Sequence, residues 1–112
     1  MMFQLSVDID NKQGTFTIYL PKDKTMEEIN TIALEELPDF VGKMQDYDIN
    51  VTGDCTIALA MLIGYELSFA CKSVRVFDPM ENVYIKVFDT DDFKNTKQAD
   101  LLLALKKAKR RK

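Results

Sequence analysis

The stretch from residue 49 to residue 79, INVTGDCTIALAMLIGYELSFACKSVRVFDP, constrains the fold more than any other part of the chain. Ile49 and Val51 open a strand, and Gly53 breaks the run where only a permissive backbone is comfortable. Val74, Val76 and Phe77 return as a second strand that ends at Asp78-Pro79, because proline cannot donate to a ladder. Between them, residues 57–70 are apolar except at Gly64, Glu66 and Ser68. A helix lying half in water would show a polar face at a period of about 3.6 residues, and this one barely does. The pattern predicts a helix covered on most sides, by a sheet below and by another protein surface or subunit above. A strand–helix–strand unit of this length needs a crossover, so the two strands are predicted parallel with a right-handed connection. In open α/β sheets, ligands collect beyond the carboxyl ends of such strands. Thr52, Gly53, Asp54, Cys55, Thr56 and Asp78 therefore ring one expected crevice.

The remaining elements follow from alternation and punctuation. Phe3, Leu5, Val7 and Ile9 alternate with polar residues, residues 10–14 read as a turn, and Phe16, Ile18 and Leu20 alternate again, which predicts a β-hairpin. Thr25 with Glu28 three residues on reads as a capping box, opening a helix over residues 26–37 that Pro38 and Gly42 close. Residues 46–52 and 73–78 are the two core strands. Val83, Ile85 and Val87 alternate into a last strand, and the acidic loop Asp89-Thr90-Asp91-Asp92 lacks the glycine and terminal glutamate of a calcium loop. Residues 100–109 read as a final helix with Leu101, Leu102 and Leu105 inward. The expectation is one α/β domain spanning residues 1–112. It has a mixed sheet of about five strands with helices on its faces, Rossmann-like in outline, and a C-terminal helix over residues 98–112 with a basic end.

Charge and residue usage narrow the function. The net charge of −3 argues against a wholly basic nucleic-acid surface, although residues 106–112 hold six of the fifteen basic side chains and leave RNA or DNA binding by the tail as a lesser alternative. No DNA and no membrane partner is expected: the apolar run is short for a span, and the N-terminus is too acidic for a secretory leader. Cytoplasm is the expected location. Cys55 and Cys71 lie at opposite ends of one predicted helix, roughly 24 Å apart at 1.5 Å per residue, which is beyond disulfide reach. With no histidine in the chain, a general base tuned near neutrality, a histidine triad and a histidine metal ligand are all absent. The turn at Thr52–Thr56 has one glycine and no following lysine, so it is not a P-loop. What remains is a helix N-terminus with free amides near residues 54–57, where Asp54, Thr52 and Thr56 compete to cap the amides or leave them to an anion.

The order hairpin, helix, strand, VTGDCTIAL, apolar helix, SVRVFDPMENVYIKV resembles the small stand-alone CRISPR-associated Csx ring-nuclease family, distantly related to CARF sensor domains. The resemblance covers residues 1 to about 88 and is anchored at Thr52-Gly53 and at Phe77-Asp78-Pro79. It implies a homodimer that binds cyclic tetra-adenylate and cleaves the ring by attack of a ribose 2′-hydroxyl on the neighbouring phosphate. The family aspartate falls on Asp78. The family also has a catalytic, manganese-associated histidine near the end of the central helix, where this chain has Ala70, Cys71 and Lys72. Its Gly-Pro-aromatic turn is replaced by Asp54-Cys55-Thr56. Without that histidine no metal is expected, and cleavage would fall to Lys72 or Arg75 stabilising the phosphorane, with Asp78 as a weak base. The alternative is a non-catalytic interaction or assembly module that forms a homo-oligomer through the apolar central helix.

Overall fold

The computed structural model describes residues 2–93 and 105–107. Its five-stranded mixed sheet is built from β1 (Phe3–Asp8), β2 (Gln13–Ile18), β3 (Asp48–Gly53), β4 (Ser73–Asp78) and β5 (Val83–Asp89), in the spatial order 1-2-3-4-5. Pairing is antiparallel at both ends of the sheet and parallel between β2, β3 and β4. Two helices make the crossovers, α1 (Met26–Lys43) from β2 to β3 and α2 (Ile57–Ser68) from β3 to β4. Both crossovers step in the same direction, and right-handed connections then place both helices on one face of the sheet. That face is the core, where Phe3, Phe16, Ile18, Ile49, Val51 and Val74 meet Ile29, Ala33 and Leu37 of α1 and Leu59, Ile63 and Leu67 of α2. The alternate strand positions, among them Gln4, Ser6, Thr15, Asn50 and Arg75, form the opposite, polar face. The strand order never reverses, so the sheet lacks the switch point that opens the ligand crevice of doubly wound folds.

The two hairpins turn on short-range hydrogen bonds. The Asp8 carboxylate accepts from the Asn11 amide at 3.3 Å and from Asn11 Nδ2 at 2.7 Å, which holds its pKa below the usual carboxylate value. The left-handed residue of that turn is Lys12, at φ 51°. Gly14, expected in the turn, instead sits inside β2 opposite Val7 and Ile49, where a Cβ would meet Ile49 Cδ1 at 3.0 Å and the Ser6 carbonyl at 3.1 Å. The β4–β5 turn repeats the device, with the Asp78 carboxylate accepting from the Met80 amide at 2.9 Å and Asn82 at φ 55°.

The capping box on α1 is present. Thr25 Oγ1 accepts from the Glu28 amide at 3.2 Å, and Glu28 Oε1 accepts from the Thr25 amide at 3.1 Å. The helix does not stop at Pro38 but continues to Lys43. Proline removes one intrahelical bond and crowds the preceding turn. The compensation is tertiary, because the turn after it delivers Phe40 and Val41 to the core and Phe40 packs against Phe3 and Phe16 with ring centroids 5.8 and 5.6 Å away. The expected C-terminal helix lies largely outside the described residues. Within it, residues 105–107 are helical, and Leu105 is 48% exposed rather than inward. No helix among the described residues is long and apolar enough to cross a membrane.

Candidate functional site

The central helix departs most from its expected surroundings. Leu59, Ile63 and Leu67 are buried at four-residue spacing, but Ile57, Met61 and Tyr65 form a second stripe that is 82%, 71% and 59% exposed. The helix is apolar all round, yet the sheet takes only one side of it. Within this chain nothing among the described residues covers the other side. A cavity of about 740 Å³ runs between α2 and the β3–β4–β5 part of the sheet. Its walls are Ile57, Met61, Gly64 and Tyr65 on the helix and Val74, Val76 and Val87 on the strands, with Thr52, Gly53, Cys55 and Phe77 at its upper end.

That upper end is where β3 and β4 finish side by side, so the loop entering α2 and the Phe77-Asp78 corner do reach the same edge of the sheet. Gly53 sits at φ +105°, and the following Asp54 amide donates to the Ile18 carbonyl at 3.1 Å, which ties the turn to β2. The N-cap of α2 is Thr56, whose hydroxyl accepts from the Leu59 amide at 3.2 Å. Asp54, a strong N-cap candidate from sequence, is exposed and does not cap the helix. Thr56 wins because its extended backbone and three-residue reach fit the first turn. Asp78 is half-buried, and its carboxylate is engaged in the Asx turn to Met80.

The two cations proposed from sequence to act with Asp78 are elsewhere. Lys72 precedes β4 at the opposite end of the strand, its amide donating to Tyr47 O at 2.9 Å and its ammonium 4.0 Å from Asp91. At about 3.3 Å per residue, six residues of extended chain separate Lys72 from Asp78 by roughly 20 Å. Arg75 lies mid-strand on the polar face. With Lys72, Gln13, Asp48, Asn50 and Asp89 it lines a separate dish of about 420 Å³. Under this dish the buried Ser73 hydroxyl donates to Asp48 Oδ1 at 2.5 Å. The structure thus gathers Thr52, Gly53, Cys55 and Phe77 at one end, with Lys72 at the other and Arg75 between them on the polar face. Sequence reasoning missed the dish, although the alternation of Asp48 and Asn50 with Ile49 and Val51 already put two polar groups on one strand face.

The donor set does not suit a divalent cation. Where the resemblance calls for a manganese-associated histidine, Ala70 and Cys71 are buried and Lys72 is itself a cation. Among the described residues no three carboxylate or thiol side chains gather.

The two thiols differ sharply. Burial pushes Cys71 up to about 12, with Asp46 and Asp48 adding to the effect and Lys106 opposing it, whereas exposed Cys55 is raised by partial burial alone. At pH 8 a pKa of about 12 in place of 9.0 leaves about a thousandfold less thiolate. Titration of the native protein with a chromogenic disulfide should therefore release one fast equivalent, from Cys55, and the second only on unfolding. Because the folded Cys71 thiol titrates above the unfolded one, its contribution to stability is intact below pH 9.0 and is lost as pH rises toward 12.

Comparison with known protein families, curated proteins and solved structures returns no match.

Proposed function

We propose that this chain is a homodimeric binding protein for a cyclic oligoadenylate in type III CRISPR signalling, holding the ring at the carboxyl ends of β3 and β4. The supporting observation is convergence. The Thr52–Thr56 turn and the Phe77-Asp78 corner, which carry the family resemblance, finish on one edge of the sheet, and Thr52, Gly53, Cys55 and Phe77 line one cavity. Its apolar walls suit the faces of adenine bases, and the first-turn amides of α2 that the Thr56 hydroxyl does not cap suit a phosphate. Binding is favoured over cutting, because Lys72 and Arg75 line the dish near the start of β4 and the Asp78 carboxylate is occupied by the Met80 amide.

Titration of the protein with labelled cyclic tetra-adenylate should give saturable binding with no linear product. Ile57→Glu, which sets a carboxylate at the exposed mouth of the cavity, should weaken binding on the order of tenfold. Lys72→Ala should leave binding unchanged. Absence of both binding and cleavage would remove this reading.

A second reading is favoured by the exposed stripe Ile57, Met61 and Tyr65: an assembly module whose apolar groove is an interface rather than a ligand site. It predicts association that is independent of any nucleotide.

A further inference from the structure

The face of the sheet turned away from both helices is laid out in three rows. Cross-strand pairing sets Asp8, Gln13, Asp48, Ser73 and Asp89 side by side at one end. The middle row is Ser6, Thr15, Asn50, Arg75 and Lys86, and it contains no carboxylate. The third row is Gln4, Thr17, Thr52, Phe77 and Tyr84, with Thr52 beside Phe77 because the preceding Val51 and Val76 are paired. Successive rows are two residues apart along a strand, about 6.6 Å. On β4 and β5 this order sets aromatic rings next to cations, and acids beyond the cations. The Phe77 and Tyr84 rings meet edge to face with centroids 5.4 Å apart, and Tyr84 is 42% exposed. Arg75 and Lys86 are exposed and stand directly opposite each other, a placing of like charges that costs the sheet stability. The acids of the first row are engaged within the chain. Asp8 accepts from Asn11, Asp48 from the Ser73 hydroxyl, and Asp89 from the Asp91 amide at 2.9 Å.

We propose that this face binds single-stranded nucleic acid, with a base stacked on Tyr84 and Phe77 and a phosphate held between Arg75 and Lys86. An aromatic row one step from a cationic row matches the two halves of a nucleotide, a planar base and the anionic link beside it. The strand must be single, because bases paired in a duplex are already stacked and cannot reach a protein ring. Open sheets bind RNA in this way, stacking two or three bases on their aromatic residues while cations track the backbone. An acidic peptide would match the cations but leave the rings unused. The acidic row sets the path: phosphates are repelled from that end, so the backbone runs along the middle row, where Asn50 and Thr15 continue with hydrogen-bonding groups. A net charge of −3 is compatible with this, since the cations are gathered at one place and the nearest acids on the face are engaged elsewhere. The platform lies across the sheet from the α2 cavity, and it stands whether or not that cavity takes a cyclic oligoadenylate.

Fluorescence anisotropy of a labelled, unstructured RNA of about ten nucleotides with the full chain should show saturable binding, at least tenfold tighter than to a duplex of the same sequence. Tyr84→Ala should weaken it about tenfold without changing its salt dependence, and Tyr84→Trp should retain it. Arg75→Ala combined with Lys86→Ala should weaken it on the order of thirtyfold and lower the slope of log affinity against log salt by about 0.7, as expected for one lost phosphate contact. These side chains are exposed, so the circular dichroism of the variants should match that of the parent. Ile57→Glu, on the helix side, should leave RNA binding unchanged. Absence of saturable binding would overturn the proposal, as would equal affinity for the duplex or equal competition by polyglutamate. So would binding that Tyr84→Ala and the double variant leave intact, which would assign it to the six basic residues of 106–112.

Discussion

Replacing Gly53 by alanine is expected to destabilise the fold by about 3 kcal/mol or more. Two costs coincide at this residue. Its φ of +105° is a backbone conformation that side-chain-bearing residues rarely adopt, and an added Cβ would lie 2.2 Å from the Ile18 carbonyl oxygen and 2.8 Å from the Ile18 nitrogen. Neither atom can rotate away, because both belong to the β2 backbone. Relief must come from parting β3 and β2 at the point where Gly53 pairs with Ile18 and the Asp54 amide reaches the same carbonyl. Chemical denaturation should show a lower midpoint with an unchanged slope. Gly42 supplies the contrast. It lies in α1 with nothing within 4 Å of an added Cβ, so Gly42→Ala should stabilise by about 0.5–1 kcal/mol. Equal effects at the two glycines would refute the geometric account.

Phe16→Ala is expected to cost about 3–5 kcal/mol, a large part of the total stability of a domain this size. Phe16 has no exposed surface, and its ring lies 5.0 Å from that of Phe3 and 5.6 Å from that of Phe40. Removing it empties the centre of a three-ring cluster that joins the N-terminal hairpin to the turn of α1 beyond Pro38. The surroundings cannot readily collapse, since Phe3 is fixed in β1 and Phe40 in the helix. Phe40→Ala should cost less, because Phe40 is only partly buried. Thermal and urea unfolding of both variants would check the order. A larger loss at Phe40 would mean that the turn after Pro38, rather than the ring cluster, is the weak point.

Most of the elements were legible in the residues because their causes are local. Alternation marks β1, β2 and β5, and a hydroxyl and a carboxylate three residues apart mark the start of α1. The end of α1 was not legible. Pro38 speaks against continuation with an interaction confined to its own helix, and the burial of Phe40 that outweighs it depends on β1 and β2. Gly14 misled in the same way: glycine is common in turns, but here it admits the Ile49 side chain between strands. At the candidate site, the turn at Thr52–Thr56 and the Phe77-Asp78 corner were placed correctly at one edge, because parallel strands joined by a crossover must end together. Lys72 and Arg75 were not separable from Asp78 in a linear reading. An extended strand carries Lys72, six residues away, to the opposite end of β4 and leaves Arg75 mid-strand on the polar face.

Periodicity and turn signals in the sequence determined that this chain makes a mixed α/β sheet with one crossover helix between the two core strands, since the spacing of apolar residues is set by backbone geometry within each segment; that α1 is a second crossover, with β2 parallel to β3, came only from the structure. Only the tertiary structure decided that both helices share one face and that, among the described residues, the central helix keeps an uncovered apolar stripe and β5 stands at the edge of the sheet. The physical reason is that these outcomes depend on which strand edges pair. Pairing is a contest between segments distant in the chain, settled by the core they jointly bury and leaving no mark within any one of them.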